Sequence, residues 1–595
     1  MTLPAVPSIA DVHAAYRAGI PAEAVIEEVY SRIVQADDPG IFISVLPVER
    51  ALDYAAALGP FDPVAKPLWG VPFAIKDNID LADLPTTAAC PAFAYRPVSH
   101  ATAVARLIAA GAIPIGKTNL DQFATGLVGT RTPYPIPRNA VDPAVVPGGS
   151  SSGSAVAVAR GIVCFALGTD TAGSGRVPAA LNGIVGLKPS LGSVSTRGVV
   201  PACRTLDCVS VFASTVDDAW TAYAAMAAFD AEDPYSRHRP AIAWSGLPPA
   251  LRIGVPRPED LEFCGDNLAE AAFHTHVERM AASARIVPVD MTAFYATARL
   301  LYEGPWVGER RAAIGSFMDT HSGSMHPVTR QIVGGADGKT AAETFAGLYR
   351  LAELARSTVA TWTEIDALCL PSLPRPFTLA EVLADPIRPN SLLGTYTNFV
   401  NLLDLCALAV PGHPRADAFP AGVTFVAPAG RDGLLAAIGR LFVEGARGPH
   451  AAPPGTVPLA VVGAHMSGLP LNVTLIENGG TFLRETQTAS DYRLYALPGG
   501  PPARPGLLRV GPDRGASIAA EIWAMPPDGL GRLMATIPSP LSIGSIQLAD
   551  GQSVLGFLVE AAGTNGADDI TAFGGWRAYI GAASAAAPVG AKSIV

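Results

Sequence analysis

Short apolar runs alternate with helix-like segments along the first part of the chain. Runs typical of strands fall at 71–75, 113–115 and 162–167, and apolar positions at helical spacing fall at 20–60, 102–110 and 154–160. Strands and helices in alternation predict an α/β domain in which helices cover a mixed central sheet. The segment between residues 129 and 153 is instead rich in Pro, Gly, Ser and Thr. Within an ordered domain, such a segment predicts a shaped loop that carries function.

The pattern changes after residue 445. Residues 446–458 read ARGPHAAPPGTVP, and proline combined with small residues is typical of a short linker. Beyond it, short runs that indicate strands fall at 471–475, 493–496, 518–524 and 554–559. We therefore predict a large first domain over 1–445, a linker over 446–458, and a smaller, strand-rich domain over 459–595 that ends in a frayed stretch at 581–595.

Composition and charge exclude several classes of function. The chain has 595 residues, with 49% hydrophobic and 16% charged side chains, which is typical of a folded globular protein. A formal net charge of −10 without a basic block argues against a nucleic-acid partner. Charged residues such as Arg160 interrupt the apolar stretches before they reach the ~20 residues of a membrane-spanning helix. The N-terminus lacks the pattern of a secretory signal and the seven cysteines form no CxxC pair, so we expect reduced thiols in a cytoplasmic protein.

Lysine is scarce in this sequence, and one lysine directly follows a predicted buried strand. Only six of the 42 basic residues are lysines, and Lys76 ends the apolar segment of GVPFAIKDN. An ion pair with Asp77 is one interpretation. The other is catalytic, because a buried lysine can lose its proton and act as a base, whereas arginine cannot.

Two glycine-rich segments supply serines without a nearby histidine. They are PGGSSSGSAVAVA at 147–159 and GTDTAGSGRVPAA at 168–180. Such loops direct several backbone N–H groups at one point, which suits a phosphate or a developing oxyanion. A phosphate loop would need GxxxxGK[ST], and neither segment contains it. The sequence therefore favours a serine nucleophile that is activated by a lysine through a second serine.

The motifs GVPFAIKDN, GGSSSGSA and GTDTAGSGRVPA, in this order, resemble the amidase signature family. The resemblance implies that Ser174 is the nucleophile, Ser150 is a proton relay preceded by a cis peptide bond, and Lys76 is the terminal base. It also implies an oxyanion hole formed by backbone N–H groups. The residues that would donate these groups are Thr171, Ala172, Gly173 and Ser174. For Asp170 and Arg176 we predict an ion pair that braces this loop, in preference to a role in substrate binding.

The segment LLYEGPWVGERRAA at 300–313 predicts a substrate anchor. On a continuous helix, Tyr302 and Arg310 would lie on one side. A guanidinium and a phenol presented together suit a small carboxylate. The alternative is that Arg310 forms a surface ion pair with Glu303 or Glu309.

Further motifs resemble the allophanate hydrolases within this family. They are YEGPWVGER, DQFATGLVGTRTPYP at 121–135, TYTNFVNLLDLCALAVP at 395–411, VVGAHMSGLPLN at 461–472 and EIWAMP at 521–526. The resemblance implies a C-terminal α+β domain similar to the γ-glutamyl cyclotransferase-like fold. It implies hydrolysis of allophanate, held by Tyr302 and Arg310, without a metal or cofactor. Gly126 would let the substrate approach the backbone closely, and His465 would either promote decarboxylation of the product or be a structural histidine.

Two other enzyme functions fit the same catalytic residues. A general amidase for small acid amides would not depend on Arg310, and the amidase-type component of a glutamine-dependent tRNA amidotransferase would need partner proteins. The C-terminal domain could alternatively be a docking module. We expect a small-molecule substrate, a homodimer, and association with an upstream urea-carboxylating enzyme or amidohydrolase, with no nucleic-acid or membrane partner.

Overall fold

The chain divides into two compact units. The computed structural model describes residues 3–238, 244–445, 452, 455–511 and 513–586. Unit 1 comprises Met1–Arg239 and Arg252–Gly445, and unit 2 comprises Pro240–Leu251 and Ala446–Val595. Most of the predicted linker at 446–458 lies outside the described residues, and its last two residues already belong to a strand. The frayed end predicted at 581–595 is wrong over 581–586, which are the last residues of a helix that begins at Trp576, and residues 587–595 lie outside the described residues.

The elements of unit 1 alternate along the chain, as the apolar pattern predicts. Its helices are α1 (Ile9–Arg17), α2 (Ala22–Ala36), α3 (Val48–Ala56), α4 (Thr102–Ala109), α5 (Ser152–Ala159), α6 (Val177–Leu181), α7 (Val216–Met226), α8 (Asn267–Ala281), α9 (Thr292–Glu303), α10 (Val307–His321), α11 (Pro327–Gly334), α12 (Ala341–Thr358), α13 (Thr361–Glu364), α14 (Leu379–Ala384), α15 (Arg388–Leu393), α16 (Phe399–Leu402) and α17 (Asp432–Glu444). Its strands are β1 (Phe42–Val45), β2 (Pro72–Lys76), β3 (Ile113–Thr118), β4 (Phe165–Asp170), β5 (Val185–Lys188), β6 (Cys208–Ala213), β7 (Arg252–Pro256), β8 (Arg285–Val289), β9 (Ala367–Pro371), β10 (Leu405–Pro411) and β11 (Gly422–Pro428).

The strands of unit 1 form one mixed sheet. Among the described residues the order is β1-β3-β2-β4-β6-β5-β10-β11-β9-β7-β8. Strand β2 is parallel to β3 and β4, whereas β6 is antiparallel to both of its neighbours. The sheet confirms the predicted α/β fold with a mixed sheet. Two details differ from the sequence prediction: β1 lies between the helices predicted over 20–60, and the strand predicted at 162–167 begins at Phe165 and continues to Asp170.

The centre of the sheet positions the chemistry. Every residue of β2 and β4 is buried, which explains why both strands read as nearly continuous apolar runs. In their parallel register Phe73 lies beside Phe165, and the two rings stack with centroids 5.2 Å apart. Because the strands run in the same direction, Lys76 and Asp170 reach the same edge of the sheet. The loops that follow this edge carry the conspicuous glycine-rich motifs.

Unit 2 is rich in strands. Its helices are α18 (Asn472–Glu477), α19 (Pro527–Met534) and α20 (Trp576–Ala586), and its strands are β12 (Val457–Val461), β13 (Thr481–Gln487), β14 (Tyr492–Leu497), β15 (Arg504–Arg509), β16 (Ala519–Met525), β17 (Leu541–Gln547), β18 (Ser553–Val559) and β19 (Asp568–Asp569). In its described part, β13-β16-β12-β18-β17 form one sheet and β15-β14-β19 another. None of the helices in the described ranges of the whole chain combines the length and apolar character that crossing a membrane requires.

The strand predicted at 471–475 is wrong. Residues 472–475 form most of α18 and Leu471 is its N-cap, although Leu471, Val473 and Leu475 alternate with polar residues as in a strand. Leu471 and Leu475 are also four residues apart, which places them on one helical face, and Leu475 is fully buried. Periodicity cannot separate the two structures over so short a segment.

Candidate active site

Lys76 ends β2 inside the protein and donates two short hydrogen bonds. Its Nζ lies 2.7 Å from the Ser150 Oγ and 2.7 Å from the Thr169 Oγ1. The lysine is fully buried. Asp77, the alternative ion-pair partner, instead pairs with Lys117 at 3.1 Å. The structure therefore brings Lys76 and Ser150 together across 74 residues of sequence.

The surroundings of Lys76 favour its neutral form near neutral pH. Burial lowers the pKa of Lys76 to about 7, and Arg310 acts in the same direction. Nearby aspartates oppose this effect because they stabilise the ammonium form. They are Asp121, Asp170 and Asp207. A neutral amine that touches a serine hydroxyl can accept its proton.

The first glycine-rich loop presents Ser150 at the start of a buried helix. The peptide bond between Gly149 and Ser150 is cis, which confirms the prediction for this position. The Ser150 carbonyl accepts a hydrogen bond from the Asp121 N–H at 3.0 Å, and α5 begins at Ser152. Only glycine fits at position 149, because a Cβ there would collide with the Asp121 carboxylate.

The second glycine-rich loop places Ser174 between β4 and α6. The Ser174 side chain is buried, and no hydrogen bond of the described residues joins it to Ser150. None of the hydrogen bonds in the described ranges is donated by the backbone N–H of Thr171, Ala172, Gly173 or Ser174. These four groups are thus free to bind an acceptor in the site, as an oxyanion hole requires.

An ion pair braces this loop, as predicted. The Arg176 Nε and Nη2 each lie 2.9 Å from a different oxygen of Asp170, and both residues are fully buried. Arg176 also donates to the Thr397 carbonyl at 3.2 Å. Burial alone would raise the pKa of Asp170, but Arg176 holds it below its ordinary value. The carboxylate also accepts the N–H of Gly175 at 3.0 Å, so the pair fixes the backbone directly after Ser174.

Two residues of the site are absent from the sequence predictions. Thr169 lies in β4, within the glycine-rich motif at 168–180, and its hydroxyl contacts Lys76. Asp207 accepts the Thr171 hydroxyl at 2.5 Å and two backbone N–H groups at 2.9 and 3.2 Å. Burial raises the pKa of Asp207 to about 6, although these hydrogen bonds favour the carboxylate. In the sequence, Asp207 is marked only by its position directly before the buried apolar strand β6.

Arg310 is buried close to this site. Its Nη1 donates to the Thr125 Oγ1 at 2.9 Å, and its guanidinium lies 5.6 Å from the Tyr302 ring centroid. Only 3% of Arg310 is exposed, and among the described residues it forms no ion pair. Glu309, one alternative partner, instead accepts the N–H of Thr205 at 2.9 Å. The interpretation of Arg310 as a surface ion pair is therefore wrong.

The predicted continuous helix over 300–313 is also wrong. Helix α9 ends at Glu303 and α10 begins at Val307. Gly304 and Pro305 break the helix, because glycine lacks a side chain that restricts its backbone and proline has no N–H to donate. Tyr302 and Arg310 nevertheless meet, since the turn between the helices brings them together.

Gly126 lies against Asp121. A Cβ at position 126 would lie 2.5 Å from the Asp121 Oδ2. The same carboxylate accepts the N–H groups of Gly129 and Arg131, both at 2.9 Å. The close approach at Gly126 is thus to a carboxylate that shapes the loop, and its predicted contact with substrate stays a prediction.

His465 lines a separate cavity in unit 2. The cavity has a volume of about 640 Å³, and Arg504, Glu477 and Phe557 also line it. The His465 ring stacks on Phe557 with centroids 4.7 Å apart. Burial lowers the pKa of His465 to about 4, so its imidazole is neutral at neutral pH. No group of three or more His, Cys, Asp or Glu side chains in the described ranges is arranged to hold a metal ion.

Two family models match successive parts of the chain. The model described as Amidase matches residues 24–436. The model described as Allophanate hydrolase C-terminal domain matches residues 457–581.

Known proteins resemble the chain over different extents. The urea amidolyase of Lachancea kluyveri is 44% identical over 544 residues, which are 86% of this chain and 30% of that protein. The A-type component of the glutamyl-tRNA(Gln) amidotransferase of Symbiobacterium thermophilum is 34% identical and covers 68% of this chain and 89% of its own length. The structure of Kluyveromyces lactis allophanate hydrolase superimposes with a TM-score of 0.77 at 39% identity, covering 97% of this chain and 99% of that one. The chain spans about 30% of the length of the urea amidolyases that it matches.

The family match and the buried Lys76–Ser150 contact support the same family assignment. The Amidase model extends over both glycine-rich loops and the segment that carries Tyr302 and Arg310. The C-terminal model extends over His465 and the strands of unit 2. The chain therefore belongs to the amidase family and carries the C-terminal domain of the allophanate hydrolases.

Proposed function

We propose that this chain hydrolyses allophanate, the carboxylated form of urea. The observation that carries this proposal is Arg310, a buried cation without an ion-pair partner among the described residues. A buried guanidinium is stabilised by an anion, and allophanate supplies a carboxylate beside its amide. The likeness to a Kluyveromyces lactis protein named allophanate hydrolase supports the same substrate.

The first half of the proposed reaction forms an acyl-enzyme. Arg310 and Tyr302 hold the carboxylate, and the terminal amide carbonyl faces Ser174. Neutral Lys76 accepts the proton of Ser150 while Ser150 accepts the proton of Ser174, whose oxygen attacks the carbonyl carbon. The four N–H groups at 171–174 stabilise the oxyanion of the tetrahedral intermediate. The C–N bond then breaks, and Ser150 returns a proton to the leaving ammonia.

The second half releases the product. Water attacks the acyl carbon and loses a proton through the same relay, and the bond to the Ser174 oxygen breaks. The product is N-carboxycarbamate, which takes up protons and breaks down to carbon dioxide and a second ammonia. We assign this breakdown to the cavity of unit 2, where the neutral imidazole of His465 can donate one hydrogen bond and accept another.

We also propose an oligomeric state, a location and a partner for the enzyme. We infer a homodimer in the cytoplasm and association with an upstream enzyme that carboxylates urea or with an amidohydrolase that releases allophanate. Support for the upstream partner comes from the urea amidolyases, which extend well beyond the part that this chain matches. The C-terminal domain argues against the tRNA amidotransferase function, because the matched amidotransferase component covers only 68% of this chain.

Steady-state ammonia release tests the substrate. We expect allophanate to be preferred over malonamate and biuret, and Arg310→Ala to abolish this preference by raising KM. Arg311→Ala removes the neighbouring arginine, whose ion pairs lie on the surface, and should leave the rate unchanged. Reaction of Ser174 with a neutral acylating probe would show that the catalytic serine survives in Arg310→Ala.

The same assay separates the alternatives. Equal rates for allophanate and malonamate, or full activity of Arg310→Ala, would leave an amidase but refute allophanate as its substrate. In His465→Asn, the first ammonia should appear at the normal rate and the second with a delay. An unchanged second release would instead favour the docking role of the C-terminal domain.

A further inference from the structure

Arg131 is a second buried arginine close to Arg310. Only 1% of Arg131 is exposed. Its guanidinium donates to the backbone carbonyls of Thr125 and Pro386, both at 2.9 Å. Its Nε is buried without a hydrogen-bond partner, and in the described part of the chain Arg131 forms no ion pair. A neutral carbonyl accepts a hydrogen bond but does not balance a full charge, so Arg131 is a buried cation to which the mechanism above gives no role.

Thr125 joins the two arginines. Its carbonyl accepts a hydrogen bond from Arg131, and its hydroxyl accepts one from the Arg310 Nη1 at 2.9 Å. Burial lowers the pKa of Arg131, and the positive charge of Arg310 acts in the same direction. Both guanidiniums nevertheless stay protonated at neutral pH. The site that we assign to an anionic substrate therefore contains two buried positive charges, one on either side of Thr125.

A buried carboxylate lies beside the same loop. Asp121 is fully buried, and its oxygens accept the backbone N–H groups of Gly129 and Arg131. The carboxylate lies against Gly149, directly before Ser150, because a Cβ at position 149 would collide with it. Its negative charge raises the pKa of Lys76 and also that of Arg131. A substrate carboxylate that enters this site is therefore repelled by Asp121 unless a nearby cation offsets its charge.

We propose that Arg131 is a second determinant of specificity for anionic substrates, because its charge offsets that of Asp121 and leaves the charge of Arg310 available to a substrate carboxylate. This inference rests on the proposed binding of an anionic substrate at Arg310. The three groups together carry a net charge of +1, since Asp121 contributes −1 and each arginine +1. Without Arg131 their net charge is zero, and the site loses most of its preference for a carboxylate over a neutral amide.

A purely structural role of Arg131 makes a different prediction. Its two hydrogen bonds connect the loop at Thr125 to the segment at Pro386, so Arg131 also braces the site. Loss of a brace would weaken the binding of anionic and neutral ligands alike, because both depend on the shape of the loop. Loss of a charge weakens the binding of the anion alone. A comparison of two ligands that differ only in charge therefore separates the two roles.

The test is the protection of Ser174 from a neutral acylating ester in the full chain. The protecting ligands are malonamate, an anion, and malonamide, its neutral amide of nearly the same shape. Arg131→Gln and Arg131→Lys are a matched pair, because both keep a hydrogen-bond donor and only lysine keeps the charge. We expect Arg131→Gln to weaken protection by malonamate about tenfold relative to malonamide, and Arg131→Lys to retain this ratio within about threefold of the wild type. The same ratio in both variants would refute the role of the charge.

Two further variants complete the experiment. Arg138→Gln removes an exposed arginine of the same segment and should leave the ratio unchanged. Asp121→Asn leaves Arg131 in place and should favour malonamate over malonamide about tenfold more than the wild type does. An unchanged ratio in Asp121→Asn would refute the charge balance, even if Arg131→Gln does not fold. A wild type that both ligands protect equally would contradict the proposed anionic substrate itself, whereas a wild-type preference that Arg131→Gln retains would refute only the role of Arg131.

Discussion

Replacing Lys76 with arginine keeps a cation at the end of β2 but removes a group that can become neutral. The native lysine donates to Ser150 and Thr169 and has a pKa lowered to about 7 by burial. Arginine stays protonated at every pH that the protein tolerates. We therefore expect Lys76→Arg to fold and to lose the acylation of Ser174 throughout the pH range.

The size of the effect follows from the shifted pKa. At pH 7, about half of the native molecules carry a neutral Lys76, whereas a lysine with its ordinary pKa of 10.5 would be neutral in about one molecule in 3,000. The lowered pKa thus raises the fraction of molecules with a neutral Lys76 about 1,500-fold. Below pH 7, each decrease of one pH unit should reduce the acylation rate about tenfold, because the neutral fraction of Lys76 falls by that factor.

The assay is the acylation rate of Ser174 by a neutral activated ester between about pH 5 and 9. A neutral ester avoids the titration of a substrate carboxylate. Lys66→Arg, a lysine outside the site, is the matched control and should retain the wild-type profile. A rate that stays constant down to pH 5, or a Lys76→Arg variant that keeps a tenth of the wild-type rate, would refute Lys76 as the base.

Three further changes probe the support of the site. Asp207→Asn should reduce kcat about tenfold, because the carboxylate positions Thr171. In the wild type, protonation of Asp207 below its pKa of about 6 should lower the rate further. A pH profile of the variant should lack this additional loss. Gly173→Ala should reduce kcat on the order of 100-fold, because φ is +145° there and a Cβ would collide with Thr397. Asp170→Asn should lower the free energy of unfolding by about 3–5 kcal/mol in urea titrations, since it leaves Arg176 buried without its ion-pair partner.

The sequence predicts the strands of unit 1 better than the points at which its helices end. Buried strands such as β2 and β4 appear as apolar runs between turn residues. The break between α9 and α10 depends on Gly304 and Pro305, which both destabilise a helix. Placing residues on a helical wheel takes no account of this effect. Helix α18 escapes prediction for another reason, because its apolar residues fit both periodicities and only tertiary packing decides between them.

The residues of the candidate site also differ in how well the sequence predicts them. Lys76, Ser150 and Ser174 stand in motifs that the sequence alone makes visible, and the structure brings the first two into contact. Thr169 and Asp207 act through contacts between segments that are distant in sequence, so the sequence around each residue does not show which groups it meets. Their roles become visible only when the folded chain shows which hydroxyl or N–H each one meets.

The charges around Lys76 link substrate binding to the pKa of this lysine. Burial and Arg310 lower the pKa of Lys76, while three aspartates raise it. A substrate carboxylate beside Arg310 offsets the positive charge of that arginine, so binding of an anionic substrate should raise the pKa of Lys76. The lysine becomes a stronger base in the complex and needs a higher pH to be neutral. Since kcat/KM reports the free enzyme and kcat the complex, the acidic limb of kcat should lie at a higher pH than that of kcat/KM for allophanate, and the two limbs should coincide for a neutral amide. Limbs that coincide for both substrates would place the carboxylate away from Arg310.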